Sequence, residues 1–213
     1  QIKRVREITD KPFGVGFITS VNGIDELVGV AVKNKVDLIG HSFSDPAPYM
    51  AEAQNEGIKV LAQVQTVGQA INARDIGVDL IVAQGIDGGG HIGHIGTISI
   101  VPAVVDACPE IPVLAAGGIV DGRAVAAALA LGASGVWVGS RFVASNEWFG
   151  PDWAKQALTE VTTDETIVTK SYDLATDAPF PFEVGHRVIQ NAFTKKWHQN
   201  YEKLLQHKED IKT

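Results

Sequence analysis

The 213-residue chain is 45% hydrophobic and 20% charged, an ordinary globular composition for which one domain with a sizeable core is the simplest expectation. Its 18 Lys and Arg against 25 Asp and Glu give a net charge of -7, which argues against nucleic acid or an anionic membrane as a partner. A single cysteine, Cys108, excludes an internal disulfide, and with no signal peptide and no apolar run near ~18 residues a cytoplasmic location is expected.

In chain order, the opening "QIKRVREITDKPFG" reads as the middle of an amphipathic helix running into a strand, so further chain is expected upstream. Six apolar, β-branched runs follow as strands, at 12–18, 36–42, 59–64, 78–84, 111–118 and 134–140. Helical patterns lie between them at 23–35, 46–56, 67–75, 98–107 and 123–131. Strands that are apolar on both faces, each followed by a helix, predict a parallel sheet covered on both sides. Two architectures do this, the doubly wound sheet and the (β/α)8 barrel. A TIM barrel lacking its first two strands accounts both for six units and for a chain that opens inside a helix. Residues 1–144 then hold strands 3–8, and the mixed segment 145–213, rich in Trp, Pro and short helices, is a C-terminal extension or lid. Cys108 falls in a helix and reads as a packing residue.

Chemistry in such barrels sits at the C-terminal strand ends. There the chain places His41 and Ser42, Gln63 to Gln65, Gln84 to His91, Gly117 with Gly118, and Gly139 with Ser140. "AAGGI" and "VGSRF" end the last two strands, and glycines there expose backbone N–H groups. The helix that starts near Gly122 aims its N-terminus at the same place, which favours an anion. Counted with two absent strands, these are strands 7 and 8, where barrel phosphate sites form. The alternative is that the glycines only serve tight turns.

The stretch "AQGIDGGGHIGHIGT" (83–97) admits two readings. Gly88, Gly89 and Gly90 let a backbone approach a flat ligand with His91 above it, or the segment is a hinge whose histidine is solvated. His91 and His94 make a poor metal pair, because no carboxylate or third histidine lies at ligand spacing nearby, so no metal is expected. His41 reads equally as a pocket residue or a structural one. The aromatic residues of 142–197 are expected to be core or lid packing.

"GIDGGGHIGHIGT", "PVLAAGGIVDGRAVAAALALGASGVWVGSRF" and "PFGVGFI", with "SFSDPAPY", "KVLAQVQTVGQA" and "RVIQNAFTKKW", resemble the nitronate monooxygenases, formerly 2-nitropropane dioxygenases. The resemblance runs from about residue 2 to residue 191. It implies a TIM barrel with non-covalent FMN, whose phosphate is held by Gly117, Gly118, Gly139 and Ser140. It places Gly88, Gly89 and Gly90 against the flavin, Gln63 and Gln84 near its ring, and His91 on the catalytic histidine. The implied reaction is oxidation of alkyl nitronates or nitroalkanes with O2 to a carbonyl compound and nitrite, and a homo-oligomer is among the assemblies the resemblance allows. Two other readings share the scaffold: an NAD(P)H-dependent enoyl-acyl-carrier-protein reductase, and a flavin- or phosphate-binding module without turnover. The chain has Ser140 where the family usually has Thr, Asp87-Gly88 for Glu-Ala, and Gly16 for an Asn. The family's first strand and second strand end have no counterpart in it.

Overall fold

A computed structural model describes residues 1–211. Helix α1 (Ile2–Ile8) leads into β1 (Gly14–Ile18), α2 (Ile24–Lys33), β2 (Leu38–Ser42), α3 (Ala47–Asn55), β3 (Lys59–Val64), α4 (Val67–Asp75) and β4 (Leu80–Gln84). A short strand, β5 (Gly90–Ile92), precedes α5 (Thr97–Ala107), β6 (Val113–Ala116), α6 (Gly122–Ala130) and β7 (Gly135–Trp137). The remainder holds α7 (Ser140–Val143), α8 (Asp152–Glu160), β8 (Thr166–Thr169), α9 (Ser171–Thr176), β9 (Gly185–Ile189), α10 (Ala192–Trp197), α11 (Tyr201–Gln206) and α12 (Lys208–Ile211).

The six expected strands form one parallel sheet in the order β1-β2-β3-β4-β6-β7. Sequential neighbours joined by helices are what right-handed β/α crossovers produce. Register sorts side chains to two faces. Leu38, Leu61, Leu80, Val82, Leu114 and Ala116 cluster on one, the interior of the curl. Ile39, Val60, Ala62, Ile81, Val113 and Ala115 belong to the larger core beneath the helices. Both sides of β2, β3, β4 and β6 are therefore apolar, as strands buried in a parallel sheet are. Ile39 and Ile81 are completely buried, so truncating either to Ala removes about 2–5 kcal/mol of stability.

His41 is resolved by this register. It points to the helix side, stacked on Tyr49 of α3 with ring centroids 5.0 Å apart, and its Nδ1 lies 3.0 Å from Thr19 Oγ1. It is a buried structural histidine, not a pocket residue. Burial lowers its pKa from 6.5 to about 4, which keeps it neutral. Cys108 is fully buried, and burial raises its thiol pKa.

A second sheet was not anticipated. Strand β5 pairs antiparallel with β9, which pairs antiparallel with β8, bringing the segment after residue 145 onto the glycine stretch. Among the aromatic residues expected to pack there, Trp197 is buried, whereas Phe142, Phe149, Trp153 and Phe182 are exposed. Among the described residues no helix is long and apolar enough to cross a membrane.

Candidate active site

The ends of β3, β4, β6 and β7 surround a cleft of about 180 Å³ lined by Gln63, Gln84, Gly88, Gly89, Gly117, Gly118, Gly139 and Ser140, together with Asp87 and Arg141. The fold thus brings together, from four β/α units, the cofactor residues expected from sequence. Gly90 is the exception; it opens β5 and is not among the lining residues.

Two glycines show why side chains are absent here. A Cβ on Gly89 would come within 2.5 Å of Ser140 Oγ. Gly118 sits at φ +74°, a conformation L-residues rarely adopt, and a Cβ there would meet Asp87 Cβ at 3.0 Å. The loop's shape is held by polar contacts. Asp87 Oδ2 accepts the Thr97 N–H at 2.8 Å, and that bond holds the Asp87 carboxyl below its usual range. Thr97 Oγ1 donates to Gly117 O at 3.0 Å. From β9, Arg187 donates to Gly88 O and to Ile86 O, each at 3.1 Å.

One expectation about the anion is corrected. The N-terminus of α6 is already capped, since Asp121 Oδ1 accepts from Arg123 N at 3.0 Å and from Ala124 N at 3.3 Å. A carboxylate thus takes the first-turn donors that a phosphate was expected to use. The glycine turns, Ser140 and Arg141, the last not singled out by the sequence reading, line the polar end of the cleft. Glycine walls that admit a flat ring, two glutamine amides and this polar end fit a phosphorylated flavin.

Gln84 ties the cleft to the histidine. Its Oε1 accepts from Gln63 Nε2 at 3.1 Å and from Gln65 Nε2 at 2.9 Å, and its Nε2 donates to His91 O at 3.1 Å. The His91 ring is largely buried, with 15% of its side chain exposed. It stacks on Phe180 (ring centroids 3.4 Å) and on His186 (4.1 Å), and meets Phe43 edge-on at 5.9 Å. His91 Nε2 lies 2.9 Å from Asp173 Oδ1. The fold therefore supplies the carboxylate and third histidine that sequence proximity did not show, from positions 173 and 186. Burial opposes charge on Asp173, but hydrogen bonds from His186, His91 and Lys170 outweigh it and hold the carboxyl well below the usual carboxylate range. His94 is exposed and takes no part. A second cavity, about 270 Å³, shares Gln63 with the cleft and is walled in part by Phe43, Gln65, Pro181 and Val184.

This geometry was compared with known proteins. The sequence profile described as "Nitronate monooxygenase" matches residues 17–212. The chain belongs to the nitronate monooxygenase family. A probable nitronate monooxygenase of Staphylococcus aureus is 36% identical over 156 residues, covering 68% of this chain and 44% of that protein. FabK from Thermotoga maritima superposes with a TM-score of 0.88 at 34% identity, over 99% of this chain and 64% of that one. A nitroalkane oxidase from Streptomyces ansochromogenes superposes with a TM-score of 0.81 at 26% identity, over 94% of this chain and 67% of that one. The chain spans roughly half the length of the curated relatives it matches. The curled sheet of this chain is six consecutive β/α units of a TIM barrel, the fold it shares with these structures.

Proposed function

We propose that this chain carries the cofactor cleft and the proton-handling histidine of an FMN-dependent enzyme that oxidises alkyl nitronates, or nitroalkanes, with O2 to carbonyl compounds and nitrite. In balance, two nitronate anions and one O2 give two carbonyl molecules and two nitrite ions. The observation that carries the reading is the adjacency of a glycine-walled cleft with a polar end to a shielded histidine, joined through Gln84. Bound FMN would supply the electron-accepting ring and the route to O2.

The chain's own residues do the rest. Gly117, Gly118, Gly139, Ser140 and Arg141 would hold the phosphate of FMN, Gly88 and Gly89 would leave room for its ring, and Gln63 and Gln84 would offer amides to it. The organic part of the substrate would fit the cavity beside Gln63, against Phe43, Pro181 and Val184. His91 presents Nδ1, the ring nitrogen that Asp173 does not engage. With a nitroalkane, Nδ1 takes the α-proton, leaving the nitronate. With a nitronate, protonated His91 pairs with the anion.

The likeness to FabK supports a second reading, in which the same scaffold reduces an enoyl thioester with electrons from NAD(P)H. One experiment separates the two. FMN-loaded protein is mixed anaerobically with ethyl nitronate or with NAD(P)H, and its visible spectrum is followed. The nitronate reading predicts bleaching or a semiquinone band with nitronate and no change with NAD(P)H. The reverse pattern establishes the reductase reading, and no change with either favours a module without turnover.

A further inference from the structure

Asp173 is a buried carboxylate facing three side-chain donors. Its side chain is 5% exposed. Oδ1 faces His91 Nε2 at 2.9 Å and His186 Nδ1 at 3.3 Å, and Oδ2 faces Lys170 Nζ at 3.0 Å. Lys170 is itself buried and also donates to Pro181 O and Val184 O, at the two ends of a turn that follows Phe180. The ammonium thereby fixes the carboxylate and the segment that lays Phe180 on the His91 ring.

An ionised carboxylate only accepts hydrogen bonds. Both imidazole nitrogens that face Oδ1 must therefore carry hydrogen. Neutral His91 is then the Nε2–H tautomer with its lone pair on Nδ1, and neutral His186 is the Nδ1–H tautomer with its lone pair on Nε2. We propose that Asp173 is the positioning residue for His91: it selects the tautomer whose free nitrogen is Nδ1, fixes the ring plane, and balances the imidazolium when Nδ1 takes a proton. This rests on the reading of His91 as the proton-handling group. The charged and titratable groups around His91 are Asp173 and His186, with Lys170 behind the carboxylate; Phe43 and Phe180 give it uncharged faces. Lys170 keeps the carboxylate ionised, so the proton stays on the imidazole.

The nitrogens of His91 and His186 and a carboxylate oxygen of Asp173 also lie within 4.8 Å of one another, close enough to share a metal ion. The Lys170 ammonium argues for the hydrogen-bonded arrangement, because it already supplies the cation beside Asp173.

The test is long-range ¹H–¹⁵N NMR on FMN-loaded, ¹⁵N-histidine protein above neutral pH, with signals assigned by His91→Asn and His186→Asn. The expected result is His91 as the Nε2–H tautomer and His186 as the Nδ1–H tautomer, both unchanged by one equivalent of Zn²⁺. His91 as Nδ1–H, a mixture of its tautomers, or stoichiometric Zn²⁺ binding at both rings would overturn the proposal. This measurement needs no turnover, so it fails separately from the nitronate reading. Asp173→Asn adds a second arm with a nitroalkane as substrate. It should lower kcat roughly 10²-fold, leave KM and FMN affinity within about 2-fold, and move the acidic limb of the kcat profile to lower pH, because the imidazolium loses its counter-charge. Asp173→Glu should recover part of kcat. An Asp173→Asn protein that folds with unchanged kcat and pH profile would equally contradict the positioning role.

Discussion

The cleft and the histidine cluster are built in opposite ways. The cleft is mostly backbone: glycines at the ends of β4, β6 and β7 withdraw their side chains so that a flat, phosphorylated group can enter. The cluster is built of side chains: His91 meets Asp173, 82 residues away in sequence, together with His186 and Lys170, closed over by Phe180. A backbone cradle is fixed by local geometry and acts on whatever fits it. A side-chain cluster is fixed by long-range packing and, in the function proposed above, acts on protons. The difference suggests that binding and chemistry are separable in this protein.

Four changes break or sharpen that division. His91→Asn removes the proton-handling group and leaves the cleft intact, so nitroalkane turnover should fall about 10²–10⁴-fold while FMN stays bound, as steady-state nitrite release and flavin fluorescence would show. Acid should weaken the fold itself through His41, which lies in neither region. The unfolded chain protonates this ring near pH 6.5 and the folded chain only near 4, so folding stability is full above 6.5 and declines as pH falls towards 4. The loss reaches about 3 kcal/mol, and His41→Gln should flatten it in denaturant titrations at stepped pH. Gly118→Val places a Cβ at φ +74° and 3.0 Å from Asp87, and such strain costs roughly 1–3 kcal/mol, so FMN affinity should drop by about 5–100-fold. Smallest is Asp121→Ala, which uncaps α6 and should cost about 1 kcal/mol of stability by thermal melt without weakening FMN. A large loss of FMN affinity there would show that Asp121 shapes the cleft itself.

The same division explains what the sequence made readable. Each strand of the parallel sheet announces itself as a short apolar run, and the strands observed at 14–18, 38–42, 59–64, 80–84, 113–116 and 135–137 lie inside the expected runs. The cleft residues Gln63, Gln84, Gly117 and Ser140 were legible as candidates because they lie at or shortly past the ends of those strands. The helix start near Gly122 was readable, but the Asp121 cap on it was not foreseen. The cluster was not legible. Its register, His91 opposite His186, comes from an antiparallel pairing between a three-residue strand in a glycine loop and "GHRVI" almost a hundred positions later. Nothing in the spacing of either segment points to the other. His41 shows the limit from the other side: its place at a strand end was plain, but a one-residue alternation decides which face it takes.

The most direct test of separable binding and chemistry is a crossed measurement: FMN dissociation constant and nitroalkane turnover at saturating FMN, each for His91→Asn and Gly118→Val against the unaltered protein. The account predicts that His91→Asn loses turnover with FMN affinity unchanged, and that Gly118→Val loses FMN affinity with turnover largely restored once FMN is saturating. If both quantities fall together in His91→Asn, or if Gly118→Val binds FMN normally, the division between backbone cleft and side-chain cluster is wrong.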